Sequence, residues 1–93
     1  MKINPDETLI EGKWLVDDHN HVIGNENCAR IHELTSNYLV RLMSDWSGWD
    51  TLYQDPTDNR FWEHTYLHGE MHGGGPPTLR NITQDEARQK YGI

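Results

Sequence analysis

From Leu9 to Val16 apolar and polar residues alternate. Ile10, Gly12, Trp14 and Val16 fall on one side, and Leu9, Glu11, Lys13 and Leu15 on the other, which is the period of a strand. Trp14 is expected to anchor its inner face. The run Asp17-Asp18-His19-Asn20 suits a turn, because short polar side chains satisfy nearby backbone groups, and His21 to Ile23 is expected to return as a short second strand closed by Gly24 and Asn25. The period then changes. Over residues 26–43 a spacing of 100° per residue puts Cys28, Ile31, Leu34, Thr35, Tyr38, Leu39, Leu42 and Met43 on one face, with Glu26, Arg30, Glu33, Ser36, Asn37 and Arg41 opposite. A helix followed by a strand also fits this stretch, but the continuous stripe favours one amphipathic helix of about 27 Å, N-capped by Asn25 and ending before Gly48.

Alternation resumes at Trp49. Trp49, Thr51 and Tyr53 alternate with Asp50, Leu52 and Gln54, and after the turn Asp55-Pro56-Thr57-Asp58-Asn59, Phe61, Glu63, Thr65 and Leu67 alternate with Arg60, Trp62, His64 and Tyr66. Both faces of this hairpin carry aromatic side chains, so one is expected to pack on the helix, the other being partly exposed or covered by the glycine-proline loop. Residues 68–77, HGEMHGGGPP, cannot be helical, since the glycines carry too much backbone entropy and the prolines lack a donor; they read as an irregular crossing segment with close backbone approach at the glycines. A last short strand is expected at Thr78 to Ile82. Thr83 and Glu86 then form a capping box for a terminal helix ended by Gly92. The result is an α+β fold: a small antiparallel β-sheet with one long amphipathic helix packed on it and a short C-terminal helix, in a single domain over residues 1–93.

Hydrophobic residues make up only 34% of the chain, yet four Trp, four Tyr and one Phe supply enough buried area per side chain for a folded, soluble domain. Fifteen acidic against eight basic residues give a formal charge of −7, which argues against a nucleic-acid partner and favours a cationic protein partner. The single cysteine, Cys28, excludes an intramolecular disulfide, and its place in the helix stripe reads as a small core residue. With neither a signal-peptide run nor a stretch of membrane-spanning length, a cytoplasmic location is expected and no membrane association.

Candidate chemistry is thin. His64, His68 and His72 recur every four residues, a spacing that would align metal ligands on a helix, but the segment is strand followed by glycine-rich loop, so a small metal-dependent enzyme using these residues is only the alternative reading. A 93-residue chain has little material for the cleft that a carboxylate-pair hydrolase needs, no serine lies in a nucleophile-elbow context, and GGGPP lacks the lysine and following helix of a phosphate loop. No catalytic residue and no cofactor are therefore assigned. The remaining signal is aromatic residues among acidic ones. Trp46, Trp49, Tyr53 and Trp62 stand beside Asp45, Asp50, Asp55, Asp58, Glu63 and Glu70, a set of anchors and steering charges for a basic protein surface. Trp62 and Trp14 fit the core better, and Trp46, in a polar loop, is best placed for exposure.

Gly48-Trp49, Leu52-Tyr53, Asp55-Pro56, Arg60, Trp62-Glu63, Tyr66 and the His72-Gly73-Gly74-Gly75-Pro76-Pro77 segment with Leu79 together resemble the bacterial immunity protein 27 family of polymorphic toxin systems. The EGKW start, the Arg30-Ile31 helix and the Ala87 to Tyr91 helix extend the likeness over nearly the whole chain. Two segments depart from the family pattern. Asn59-Arg60-Phe61-Trp62 stands where Gly-Arg-Tyr-Trp is expected, and Tyr66-Leu67 stands where Tyr-Pro is expected. The resemblance implies an antidote that binds a cognate toxin C-terminal domain, basic and nuclease-like on charge grounds, without catalysing a reaction. The candidate toxin-binding residues are Asp45, Trp46, Asp50, Asp55, Asp58, Glu63 and Glu70. A general interaction module without a toxin is the remaining alternative.

Overall fold

The computed structural model describes residues 2–66 and 75–93. Its elements are β1 (Leu9–Glu11), β2 (Trp14–Val16), β3 (Val22–Gly24), α1 (Glu26–Asn37), β4 (Val40–Ser44), β5 (Thr51–Gln54), β6 (Phe61–Thr65), β7 (Thr78–Ile82) and α2 (Gln84–Tyr91). Five strands form an antiparallel sheet in the order β1-β7-β6-β5-β4, and β2 and β3 pair as a separate ribbon. The fold is α+β, as the residue patterns predict.

Register sorts the side chains into two faces. Tyr53 pairs with Trp62 and Trp62 with Asn81, while Thr51 pairs with His64 and His64 with Leu79, so these share one face. On that face Trp62 and Leu79 pack with Ile3, Ile10, Leu39 and the α1 residues Ile31 and Leu34. The opposite face carries Leu52, Glu63 and Ile82, and here α2 lays Ala87 and Tyr91. The second face of the aromatic hairpin is therefore covered by the terminal helix. Its capping box forms as expected, with Glu86 N–H donating to Thr83 Oγ1 (3.1 Å), and Gly92 closes it in the left-handed region at φ 74°.

Two expectations are corrected. The helix stops at Asn37, and Val40 to Ser44 is an edge strand paired with β5. Tyr38 and Leu39 continue the apolar stripe and do face the core side, so periodicity alone extends the helix through them. Cross-strand hydrogen bonding to β5 wins from Val40 onward, with a shift of register between Arg41 and Met43. The stretch Leu9 to Val16 is likewise split, pairing with β7 up to Glu11 and with β3 from Trp14. Gly12 N–H donates to the Pro77 carbonyl (2.9 Å), and a Cβ at Gly12 would lie 2.5 Å from that oxygen and 2.8 Å from Cys28 Sγ. β2 lies outside the five-stranded sheet, and Trp14, 41% exposed, lies on the ribbon and does not anchor the core. The Asp55–Asn59 turn does form, with Asn59 at φ 64°, a left-handed conformation that asparagine tolerates.

The amino-terminal segment is tied down by Glu7. Its carboxylate accepts from Arg30 Nη1 (2.7 Å) and Nη2 (2.6 Å) on α1, and its carbonyl accepts from Arg60 Nη1 (2.7 Å). The Arg30 hydrogen bonds hold the Glu7 carboxyl down to about 2 from an ordinary 4.5, against an opposing push from burial. A depressed folded-state value means that this stabilisation is complete above 4.5 and is lost as pH falls through that value toward about 2. Glu7→Gln is expected to lower stability by about 1–2 kcal/mol at neutral pH, with the gap to the parent closing over this acid window in urea unfolding. A gap that stays constant with pH contradicts the assignment.

Candidate functional site

Between β4 and β5 the chain reverses in a turn from Asp45 to Asp50, and local hydrogen bonds fix its shape. Asp45 Oδ1 accepts from Ser47 N–H (3.1 Å), Ser47 Oγ–H (2.7 Å) and Gly48 N–H (2.9 Å), and Ser47 Oγ accepts in turn from Trp49 N–H (3.1 Å). Asp45 N–H donates to the Asp50 carbonyl (2.9 Å), and Gly48 sits at φ 78°, a region that side-chain-bearing residues rarely adopt. The Ser47 hydrogen bond leads in holding the Asp45 carboxyl below the usual carboxylate range. This rigid turn projects two indoles: Trp46 is 98% exposed and Trp49 is 60% exposed. The hydrogen bonds within the turn fix the backbone that carries them.

Asp50 closes the turn and connects it to the far side of the sheet. Its carboxylate accepts from Thr65 Oγ1 (2.6 Å) and from Lys90 Nζ (2.6 Å) on α2. Lys90 also pairs with Glu63 Oε2 (2.7 Å), whose carboxylate further accepts from Tyr91 Oη (2.8 Å) and Arg80 Nε (2.8 Å). Glu63 is only 1% exposed. Burial pushes its carboxyl up, but the hydrogen bonds from Lys90, Tyr91 and Arg80 outweigh that push and hold it below the usual range. The Tyr91 hydroxyl is pushed well above the usual phenol range by burial and by Glu63.

The candidate residues therefore divide. Asp45, Trp46 and Asp50 come together in the turn. Asp55 and Asp58 lie at the other end of the hairpin. Asp55 is fully buried, with Oδ1 accepting from Tyr38 Oη (2.6 Å) and Thr57 N–H (2.7 Å), and Asp58 pairs with Arg60 (2.7 Å). Asp55 and Glu63 are structural carboxylates by their burial, which no partner surface reaches, and Trp62 is fully buried in the core beneath the Arg60 guanidinium. Glu70, His68 and His72 lie outside the described residues. His64 is half-buried on the α1 face, where it meets aromatic rings. Among the described residues no group of three His, Cys, Asp or Glu side chains is placed to hold a metal ion, and no helix is long and apolar enough to cross a membrane.

Residue reading missed a cavity beside the turn. Trp49, Tyr53, His64 and Tyr66, with Ser47 and Thr51, line a space of about 470 Å³ on the α1 face. The signal was present in the alternation of 49/51/53 and 62/64/66, but only the register of the hairpin, Thr51 opposite His64, brings the two sets together.

Compared with known families, residues 17–83, more than two thirds of the chain, match the family model for Immunity protein 27. No curated protein and no solved structure matches the chain.

Glu63→Gln is expected to destabilise the fold by about 2–3 kcal/mol, below the cost of breaking a fully buried pair because Arg80 and Lys90 both reach solvent. Adding Lys90→Met should cost much less than it does in the parent, because the two side chains share one network. Urea midpoints for the two single variants and the double variant measure this; additive losses contradict the coupling.

Proposed function

This chain belongs to the immunity protein 27 family, and we propose that it is a stoichiometric inhibitor which binds a cognate toxin C-terminal domain and covers that domain's active or substrate-binding surface. The family match over residues 17–83 carries the reading. In it the chain catalyses nothing and uses no cofactor. The charge of −7 favours a basic partner, such as a nuclease domain whose own surface is built to hold phosphate. Neutralisation in the cytoplasm of the producing cell follows from this role.

The Asp45–Asp50 turn is the surface best suited to make the contact. Asp45 and Asp50 are held in place by backbone and side-chain hydrogen bonds, so their field is fixed, and Trp46 stands free of the core to enter an apolar recess on the partner. The net negative charge of the chain accelerates encounter with a cationic surface, an effect that salt screens.

Calorimetric titration with the toxin domain encoded beside this chain is expected to give a one-to-one complex, and co-expression is expected to relieve toxicity. Trp46→Ala should weaken the complex by roughly 30- to 1000-fold, the effect of removing an interface anchor of about 2–4 kcal/mol, while leaving the unfolding midpoint unchanged. Absence of both binding and protection by the parent chain overturns the proposed function. A fully retained affinity in Trp46→Ala overturns the assignment of the turn.

A further inference from the structure

Five of the six strand residues in the β2–β3 ribbon are large and apolar, and all five are exposed, led by Val16 at 66% and Val22 at 65%. Register pairs Val16 with Val22 and Trp14 with Gly24, which sets Trp14, Val16 and Val22 on one face, and pairs Leu15 with Ile23 on the other. β-branched and aromatic residues favour the strand conformation, but threonine does so while keeping a hydroxyl for water. Strand propensity therefore does not account for an apolar side chain at each of these positions. Contiguous exposed apolar surface on a chain this rich in charge marks a contact.

The ribbon is fixed at both ends. At its tip Asp17 Oδ1 accepts from the N–H groups of His19 (2.9 Å) and His21 (2.8 Å), and Asn20 takes the left-handed conformation at φ 61°. At its base Asn25, the N-cap of α1, donates its N–H to the Lys13 carbonyl (2.9 Å) and accepts the Lys13 N–H on its side-chain oxygen (3.2 Å). Gly24 lies so close to α1 that a Cβ there would come 2.8 Å from Cys28 Cβ. The apolar residues are thus carried on a backbone that needs little further ordering when a partner arrives.

Charge selects the occupant. Residues 11–26 hold Glu11, Asp17, Asp18 and Glu26 against Lys13 alone. A second copy of this chain would bring like charges together, whereas a basic protein surface meets them with the opposite sign. Position agrees with this choice. Trp14 lines a recess with Tyr53, His64 and Tyr66, and the same three residues stand with Trp49 beside the Asp45–Asp50 turn, so ribbon and turn border one side of the molecule. We propose that the β2–β3 ribbon is a second docking element for the basic toxin domain, its Trp14, Val16 and Val22 face entering an apolar recess of that domain beside the contact made by the turn. This deepens the toxin-binding reading and rests on it.

The test follows the full chain by NMR with its valine methyl groups isotopically labelled, free and in complex with the toxin domain encoded beside it, in the presence of a soluble gadolinium chelate. The Val16 and Val22 methyl signals are expected to be broadened by the chelate in the free chain and shielded in the complex. In calorimetry the double variant Val16→Thr, Val22→Thr, which keeps the β-branching, should bind about 10- to 100-fold more weakly with an unchanged urea midpoint. Ile93→Thr, an equally exposed site beyond α2, should bind as the parent does. Methyl groups that stay open to the chelate in the complex, or a fully retained affinity in the threonine variant, overturn the ribbon contact and leave the proposed function standing, because the parent chain still binds. The methyl measurement is made on the parent chain, so it holds whatever the variant does to the fold. Shielding in the free chain that grows with concentration, with a dimer in sedimentation, assigns the ribbon to a second copy and overturns the proposal. A parent chain that neither binds nor protects overturns the proposed function and the ribbon contact with it.

Discussion

The fold depends on a carboxylate placed where water cannot reach it. Glu63, in the middle of the central strand, is 1% exposed, and its charge is met by Lys90, Arg80 and the Tyr91 hydroxyl. Two of these partners lie on α2, so the terminal helix is held on its face of the sheet by Ala87 and Tyr91 packing and, in register, by the ionic network. A buried charge adds little net stability compared with an apolar replacement, but an unpaired one is costly, so the network selects a single docked position for the helix. Lys90 carries the constraint onward to Asp50, and thus to the end of the turn that presents Trp46.

This arrangement separates two uses of the same residue types. The carboxylates of Asp55 and Glu63 and the ring of Trp62 are consumed inside the fold, while Asp45 and Asp50 use their hydrogen bonds to shape a loop whose indoles remain available. Under the proposed function, a turn whose backbone is already fixed spares an ordering cost at association. The turn meets that condition without large apolar support. Asp45 Oδ1 gathers the backbone N–H groups of Ser47, Gly48 and, at 3.5 Å, Asp50, together with the Ser47 hydroxyl, and Gly48 supplies the one left-handed residue the turn requires.

How far the sequence reveals this varies by element. The central hairpin, β7 and α2 were legible because their signals are local: alternation, the Asp-Pro turn, the Thr83/Glu86 capping box and a closing Gly92. The end of α1 was not, since Tyr38 and Leu39 satisfy a helical stripe and a strand entrance equally well, and only pairing with β5, distant in sequence, decides between them. The close approach at Gly12 likewise depends on Pro77, a contact across most of the chain. Within the candidate site, Trp46 was legible as an exposed residue in a polar loop. Acidic residues on alternating strand positions were not separable into buried and exposed, because a buried glutamate becomes acceptable only once Lys90 and Arg80 are known to face it. The hollow between Trp49, Tyr53, His64 and Tyr66 depends on hairpin register, which a five-residue turn leaves open.

The central claim is that recognition occurs at the turn and the adjoining aromatic face. Hydrogen–deuterium exchange of the chain alone and in complex with its toxin domain tests this most directly, since it reports which backbone becomes protected without altering any side chain. The expected result is new protection over residues 45–53 and 64–66, with α2 and the Asp55–Asn59 turn unchanged. Protection confined to α2 or to the β2–β3 ribbon, with the Asp45–Asp50 turn exchanging as it does in the free chain, would contradict the account.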